Sequence, residues 1–174
     1  MRKSTQASAV IIVGIAIAGG IYLSPLKEQR LVANQDFESA DEKAPDLEDQ
    51  TRYQSGLATT TLIIGGNSYI VDLPQNSLEK ARGLSGRDML PDGYGMLFDM
   101  ENSDLHPFWM KDMLFSIDIL WLDANRKTVH IERNVSPDTY PKSFSSKVPA
   151  RYILELSSNS ADKYGLRIGD TAEF

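Results

Sequence analysis

The sequence predicts a mainly β domain: an antiparallel β-sandwich or partly closed barrel of about seven short strands with one or two short helices, behind an N-terminal transmembrane or signal helix. Three observations lead there. From Leu57 onward, short apolar runs alternate with turn residues. The stretch from Phe108 to Asp123, FWMKDMLFSIDILWLD, ends in a segment that is apolar on both faces, as a strand inside a fold must be. Before Leu57 the composition is different, first an unbroken apolar run and then an acidic polar tract.

The 174 residues suffice for one domain of ordinary size plus extra segments. A formal net charge of -6 and a pI of about 4.9 argue against nucleic acid as a partner. The chain has no cysteine, which excludes disulfides, thiolate zinc sites, a cysteine nucleophile and an acylated lipoprotein cysteine. His106 and His130 are the only histidines, so a multi-histidine metal site is not expected, and no cofactor is.

Arg2 and Lys3 precede an uncharged apolar run from about Ala7 to Leu23. As helix it would measure roughly 26 Å, near the lower limit for spanning a bilayer. The basic start, apolar centre and A-x-A at Ala16 and Ala18 also describe a cleavable signal peptide. The run continues past Ala18 through Ile21, Tyr22 and Leu23, which favours a retained anchor at residues 1–23, in contact with the lipid bilayer through residues 7–23. A buried soluble helix is the remaining reading. Anchor and signal imply one topology, a cytoplasmic N-terminus with the rest exported, whether membrane-held or secreted. Residues 24–56 are polar and acidic without an apolar period, and read as a flexible linker.

The domain, residues 57–174, opens with TTTLII and SYIVDL around Gly65-Gly66-Asn67, a β-hairpin. Asn76 and Glu79 form a capping-box pattern for a short helix that Gly83 closes, and GRDML can add a further helical turn before Pro91. Asp92-Gly93 turns the chain into the strand GMLFDM, and ENSDLHP reads as a loop. In the central stretch Ile117, Ile119 and Trp121 share one strand face, and Asp118, Leu120 and Leu122 the other. Asp123 to Arg126 reverses the chain into KTVHIERNV as partner strand. A loop from Ser136 to about Val148, the strand RYILEL, a helical turn SADKYG and a last strand in LRIGDTAEF complete the chain.

The runs ARGLSGRDML, GYGMLFDM, PFWMKDMLFSIDILWLD, PARYILEL and GLRIGD, in that order and spacing, resemble the domain of unknown function 192 family, also called uncharacterised protein family 0127. The resemblance covers roughly Leu57 to Phe174 and implies a small, mostly β domain, often behind a signal or anchor. It implies no activity. The family's FWMKN ends here in Asp112, and where it often has a Gly after the RYILEL strand this chain has Ser158-Asn159, of which Asn tolerates a left-handed turn.

Ser85 in GLSGR fails the nucleophile-elbow pattern, because the final position is Arg87 and the preceding element is a helix. A Ser85–Lys111 dyad in a cell-envelope hydrolase is the alternative reading. Asp99, Glu101 and Asp104 lack the glycine and closing glutamate of a calcium loop. Asp112 and Asp118 would share a strand face if the strand were unbroken, but spacing alone makes no glycosidase pair. The cations Arg82, Arg87 and Lys111, with Ser85, Trp109 and Asp118, are the candidate binding residues, suited to a small anionic, peptide or saccharide ligand of the cell envelope. The plain reading of the same group is that Asp118 is neutralised by Arg82, Arg87 or Lys111 and pins the helix to the sheet. The sequence thus favours a binding or structural module over an enzyme.

Overall fold

The computed structural model describes residues 55–174; the anchor or signal expected at 1–23 and nearly all of the linker expected at 24–56 lie outside the described residues. Among the described residues no helix is long and apolar enough to cross a membrane.

Among the described residues eight strands form: β1 (Ala58–Ile64), β2 (Asn67–Leu73), β3 (Tyr94–Asp104), β4 (Phe108–Trp109), β5 (Ile117–Leu122), β6 (Thr128–Val135), β7 (Ser143–Phe144) and β8 (Ala150–Ser157), with helices α1 (Ser77–Arg82) and α2 (Ser160–Lys163). Six strands make one sheet in the order β1-β2-β3-β8-β5-β6, and β4 and β7 pair separately. The fold is mainly β with two short helices, as expected, but in place of the all-antiparallel arrangement the strands make a mixed sheet and a small second sheet, and no closed barrel forms.

β2 and β3 run parallel, with Asp72 opposite Met96. A parallel pair needs a crossover of about a dozen residues or more. Residues 74–93, carrying α1, supply it. Barrel closure is approached from outside the ladders. β1 and β6 lie at opposite ends of the strand order, yet the C-terminal segment bridges from Glu173 to Ile63 in β1 and from Thr171 to Lys127, the residue just ahead of β6. The strand expected in LRIGDTAEF is therefore only a pair of isolated bridges.

Both sheet faces are covered. Met96, Phe98, Ile117, Ile119, Trp121 and Ile153 face Leu84, Met110, Met113 and Phe144 from the connections. Leu62, Val71, Leu120, Leu122, Leu154 and Leu156 face Ala161 of α2, Leu166 and Ala172. The strand alternation of β5 is as read: all six residues are buried, with Ile117, Ile119 and Trp121 in one cluster and Leu120 and Leu122 in the other.

Local signals act where their chemistry is short-range. Asn76 Oδ1 accepts from the backbone of Leu78 and Glu79, and Gly83 closes α1 at φ 51°. The Glu79 carboxylate takes the N–H of Gln75, one residue before the cap. Asn159 stands at φ 66°, the left-handed turn expected of it. Three extrapolations fail. Residues 83–86 turn without adding a helix at GRDML, and β3 runs on through Asp104, with Glu101 at φ 67° beside a register shift. The central stretch is broken, because Lys111-Asp112 is a turn with Asp112 at φ 55°. Asp112 and Asp118 consequently do not share a strand face.

Candidate functional site

Gly95 brings β3 and β8 together: a Cβ there would lie 2.8 Å from the Glu155 carbonyl and 2.9 Å from Leu156. Across this seam Asp72, Met96, Glu155 and Ile119 form one row on β2, β3, β8 and β5. Paired residues point to the same face. Two carboxylates therefore stand on a face otherwise occupied by the apolar cluster around Trp121.

Asp72 is resolved by charge. Its side chain is 1% exposed, and Arg87 reaches it with a guanidinium nitrogen at 2.7 Å. The Ser55 hydroxyl donates to its other oxygen at 2.7 Å. Glu155 has no such resolution. Its Oε2 is buried without a hydrogen-bond partner among the described residues. Burial pushes the carboxyl up to about 8, against the opposing pull of the Arg87 guanidinium.

Glu155 lines a cleft of about 290 Å³, whose walls come from α1, β3 and the segment around β4. Phe98, Phe108 and Met113 make it apolar, while Lys80, Arg82, Ser85 and Trp109 also line it. Phe98 and Phe108 meet edge to face at 5.0 Å, and Phe108 meets Trp121 in the same manner at 6.4 Å. The Trp121 indole donates to the His106 carbonyl at 3.0 Å, which fixes this aromatic stack against the sheet. Trp109 is 57% exposed, in contrast to the fully buried Trp121.

The turn after α1 is fastened to the turn after β4 at two points. Ser85 Oγ donates to the Lys111 carbonyl at 2.8 Å, and the Gly86 N–H donates to the Asp112 carbonyl at 2.8 Å. Lys80 pairs with the exposed Glu101 at 3.3 Å, a contact open to salt screening. Arg82 is exposed and forms no ion pair among the described residues.

Of the six residues singled out in the sequence, the structure brings Arg82, Ser85 and Trp109 together in the cleft. Arg87 is not among the lining residues and pairs with Asp72, and Lys111 is exposed, contributing its carbonyl to Ser85. Asp118 is elsewhere. It lies on the opposite sheet face and accepts backbone N–H groups from Asn134 at 2.7 Å, Asn159 at 3.3 Å and Ala161 at 2.7 Å. The expected pairing of Asp118 with Arg82, Arg87 or Lys111 is thus corrected: three amides solvate the carboxylate, and the buried ion pair belongs to Asp72. Asp99, from the acidic run, takes a two-pronged contact from Arg151 at 3.0 and 2.9 Å, which lowers its pKa chiefly through that hydrogen bonding. Among the described residues no cluster of three or more acidic or histidine side chains is arranged to hold a metal ion.

Glu155 was missed by sequence reasoning although a signal existed. In RYILEL, alternation places Glu155 on the face of the buried Ile153 and opposite to Tyr152, Leu154 and Leu156. A carboxylate on a core-facing position needs a partner or a purpose.

The DUF192 family model, described as an uncharacterised ACR, matches residues 60–174. A crystal structure of a protein of unknown function from Novosphingobium aromaticivorans DSM 12444 is similar, with 27% identity and a TM-score of 0.65 over 69% of this chain and 88% of that one. A second, from Sinorhizobium meliloti 1021 and described as a "putative transcription regulator", has 24% identity and a TM-score of 0.63, covering 67% of this chain and 94% of that one. The second likeness bears on the fold alone. No curated protein matches the chain.

Proposed function

The chain belongs to the domain of unknown function 192 family, an uncharacterised family, and from that premise we propose that its β domain is an extracytoplasmic binding module whose cleft takes a small ligand with an apolar body and an anionic group. The observation that carries this reading is the juxtaposition of Arg82, outside any ion pair among the described residues, with the apolar walls of Phe98, Phe108 and Met113 and the exposed ring of Trp109. A guanidinium at the rim attracts and orients an anion, while the interior shields the apolar part from water. Thioether and ring edges suit such a body better than the hydroxyls of a saccharide. The Ser85–Lys111 hydrolase draws no support from this geometry, since Ser85 donates to the lysine's backbone carbonyl and the lysine is exposed. A dyad requires a lysine stripped of water and in contact with the hydroxyl.

Titration with 3-phenylpropionate, followed by tryptophan fluorescence, tests the reading. Trp109 is the responsive indole, and Trp109→Phe should abolish the signal. Arg82→Ala should weaken binding about tenfold, the worth of one charge-assisted contact. Equal binding by wild type and Arg82→Ala would count against the cleft as an anion site.

A further inference from the structure

Resting on the cleft reading above, we propose that Glu155 selects the ligand by taking a primary ammonium group, so that the occupant is an amino-acid-like zwitterion with an apolar side chain. Its carboxylate meets Arg82, the ammonium on the same carbon meets Glu155, and its side chain packs on Phe98, Phe108 and Met113.

The first support is the orphaned oxygen. Glu155 is 5% exposed, its Oε2 has no hydrogen-bond partner among the described residues, and the residue lines the cleft. A buried acceptor without a donor is costly, and a ligand N–H supplies the donor that the fold withholds. The second support is the charge balance of the buried row. Arg87 is engaged at 2.7 Å with Asp72, so an ionised Glu155 would place two carboxylates beside one guanidinium. An ammonium restores the balance. Without a ligand the balance is restored by a proton, which agrees with the raised pKa of about 8.

The third support is the segregation of signs. The cations that line the cleft, Lys80 and Arg82, come from α1, and the carboxyl that lines it comes from β8. Lys80 is paired with Glu101 at 3.3 Å, leaving Arg82 as the group for an anion. A zwitterion satisfies both groups, whereas a plain anion leaves Glu155 without a donor and a plain amine leaves Arg82 idle. The volume of about 290 Å³ is near the lower end of ligand sites, which suits a molecule of amino-acid size.

The test titrates the full-length chain, purified in detergent, with L-phenylalanine, phenethylamine and 3-phenylpropionate by calorimetry at pH 7. Each titration is run in two buffers of different ionisation enthalpy, so that proton release is measured directly. L-phenylalanine should bind at least tenfold more tightly than 3-phenylpropionate and release close to one proton, because the ammonium displaces the proton held by Glu155. Glu155→Gln should bring L-phenylalanine down to the affinity of 3-phenylpropionate and abolish the release, with a cooperative melt showing that the variant is folded. A merely structural role for Glu155 would move neither the ligand ranking nor the proton count. If 3-phenylpropionate binds in an Arg82-dependent manner but as tightly as L-phenylalanine, or if L-phenylalanine binds without proton release, the assignment of Glu155 fails and the cleft reading survives. If none of the three probes binds, both fail.

Discussion

Asp118 Oδ2 accepts the backbone N–H of Ala161 at 2.7 Å, tying the middle of β5 to the first turn of α2 across 43 positions of sequence. Its other oxygen accepts from Asn134 at 2.7 Å and from Asn159 at 3.3 Å. One fully buried carboxylate thereby holds three chain segments. Asp118→Asn turns one of those oxygens into a donor facing a donor. The variant should lose about 3 kcal/mol, the cost of leaving buried charge-assisted bonds unmade. Asp104→Asn, at an exposed position, should change stability by no more than about 0.5 kcal/mol. Chemical denaturation of the two variants measures the difference, and overlapping curves would contradict the bracing role.

Arg87 does not line the cleft and acts on stability. Its contact with Asp72 is nearly dry, with side-chain exposures of 17% and 1%. Arg87→Ala takes the guanidinium from a buried carboxylate and should destabilise the domain by about 3 kcal/mol. The same experiment separates structure from binding, because Arg82→Ala should leave the melting temperature within about 2 °C of wild type. A wild-type melt for Arg87→Ala would show that Asp72 does not depend on it.

Glu155 makes stability fall with rising pH. Its ordinary carboxyl value is 4.5 and its value in the fold is about 8. Below pH 4.5 folded and unfolded states both hold the proton, and no difference arises. Between 4.5 and about 8 the folded state keeps a proton that the unfolded state has lost, so stability declines as pH rises and levels off above that window. Glu155→Gln removes this dependence. Its stability relative to wild type should therefore be larger at pH 8 than at pH 5, by roughly 2–4 kcal/mol. Paired urea titrations at the two pH values check the sign, and a variant difference independent of pH would refute it.

The topology proposed for the N-terminal segment has its own test. Protease added outside spheroplasts should degrade the domain while a cytoplasmic marker remains intact. Protection of the domain until the membrane is lysed would reverse the orientation.

What the sequence determined by itself was local or periodic. The Gly65-Gly66-Asn67 hairpin, the Asn76 cap, the left-handed Asn159 and the two faces of β5 all depend on residues within a few positions of one another. The cleft was legible in part, since Arg82, Ser85 and Trp109 belong to motifs that stand out in the chain. Its innermost group was not. Whether Glu155 meets a cation depends on β8 lying between β3 and β5, and on Arg87 having already bonded Asp72 from β2. Only tertiary structure decides such pairings, because a charge selects a partner by distance in space and that distance is set by strand order. The same reason separates Asp118 from the cations that its sequence neighbourhood suggested. Alternation correctly placed it on the face opposite Ile117 and Ile119, but only the folded sheet shows that backbone amides from β6 and the start of α2 wait on that face while the arginines stand on the other side.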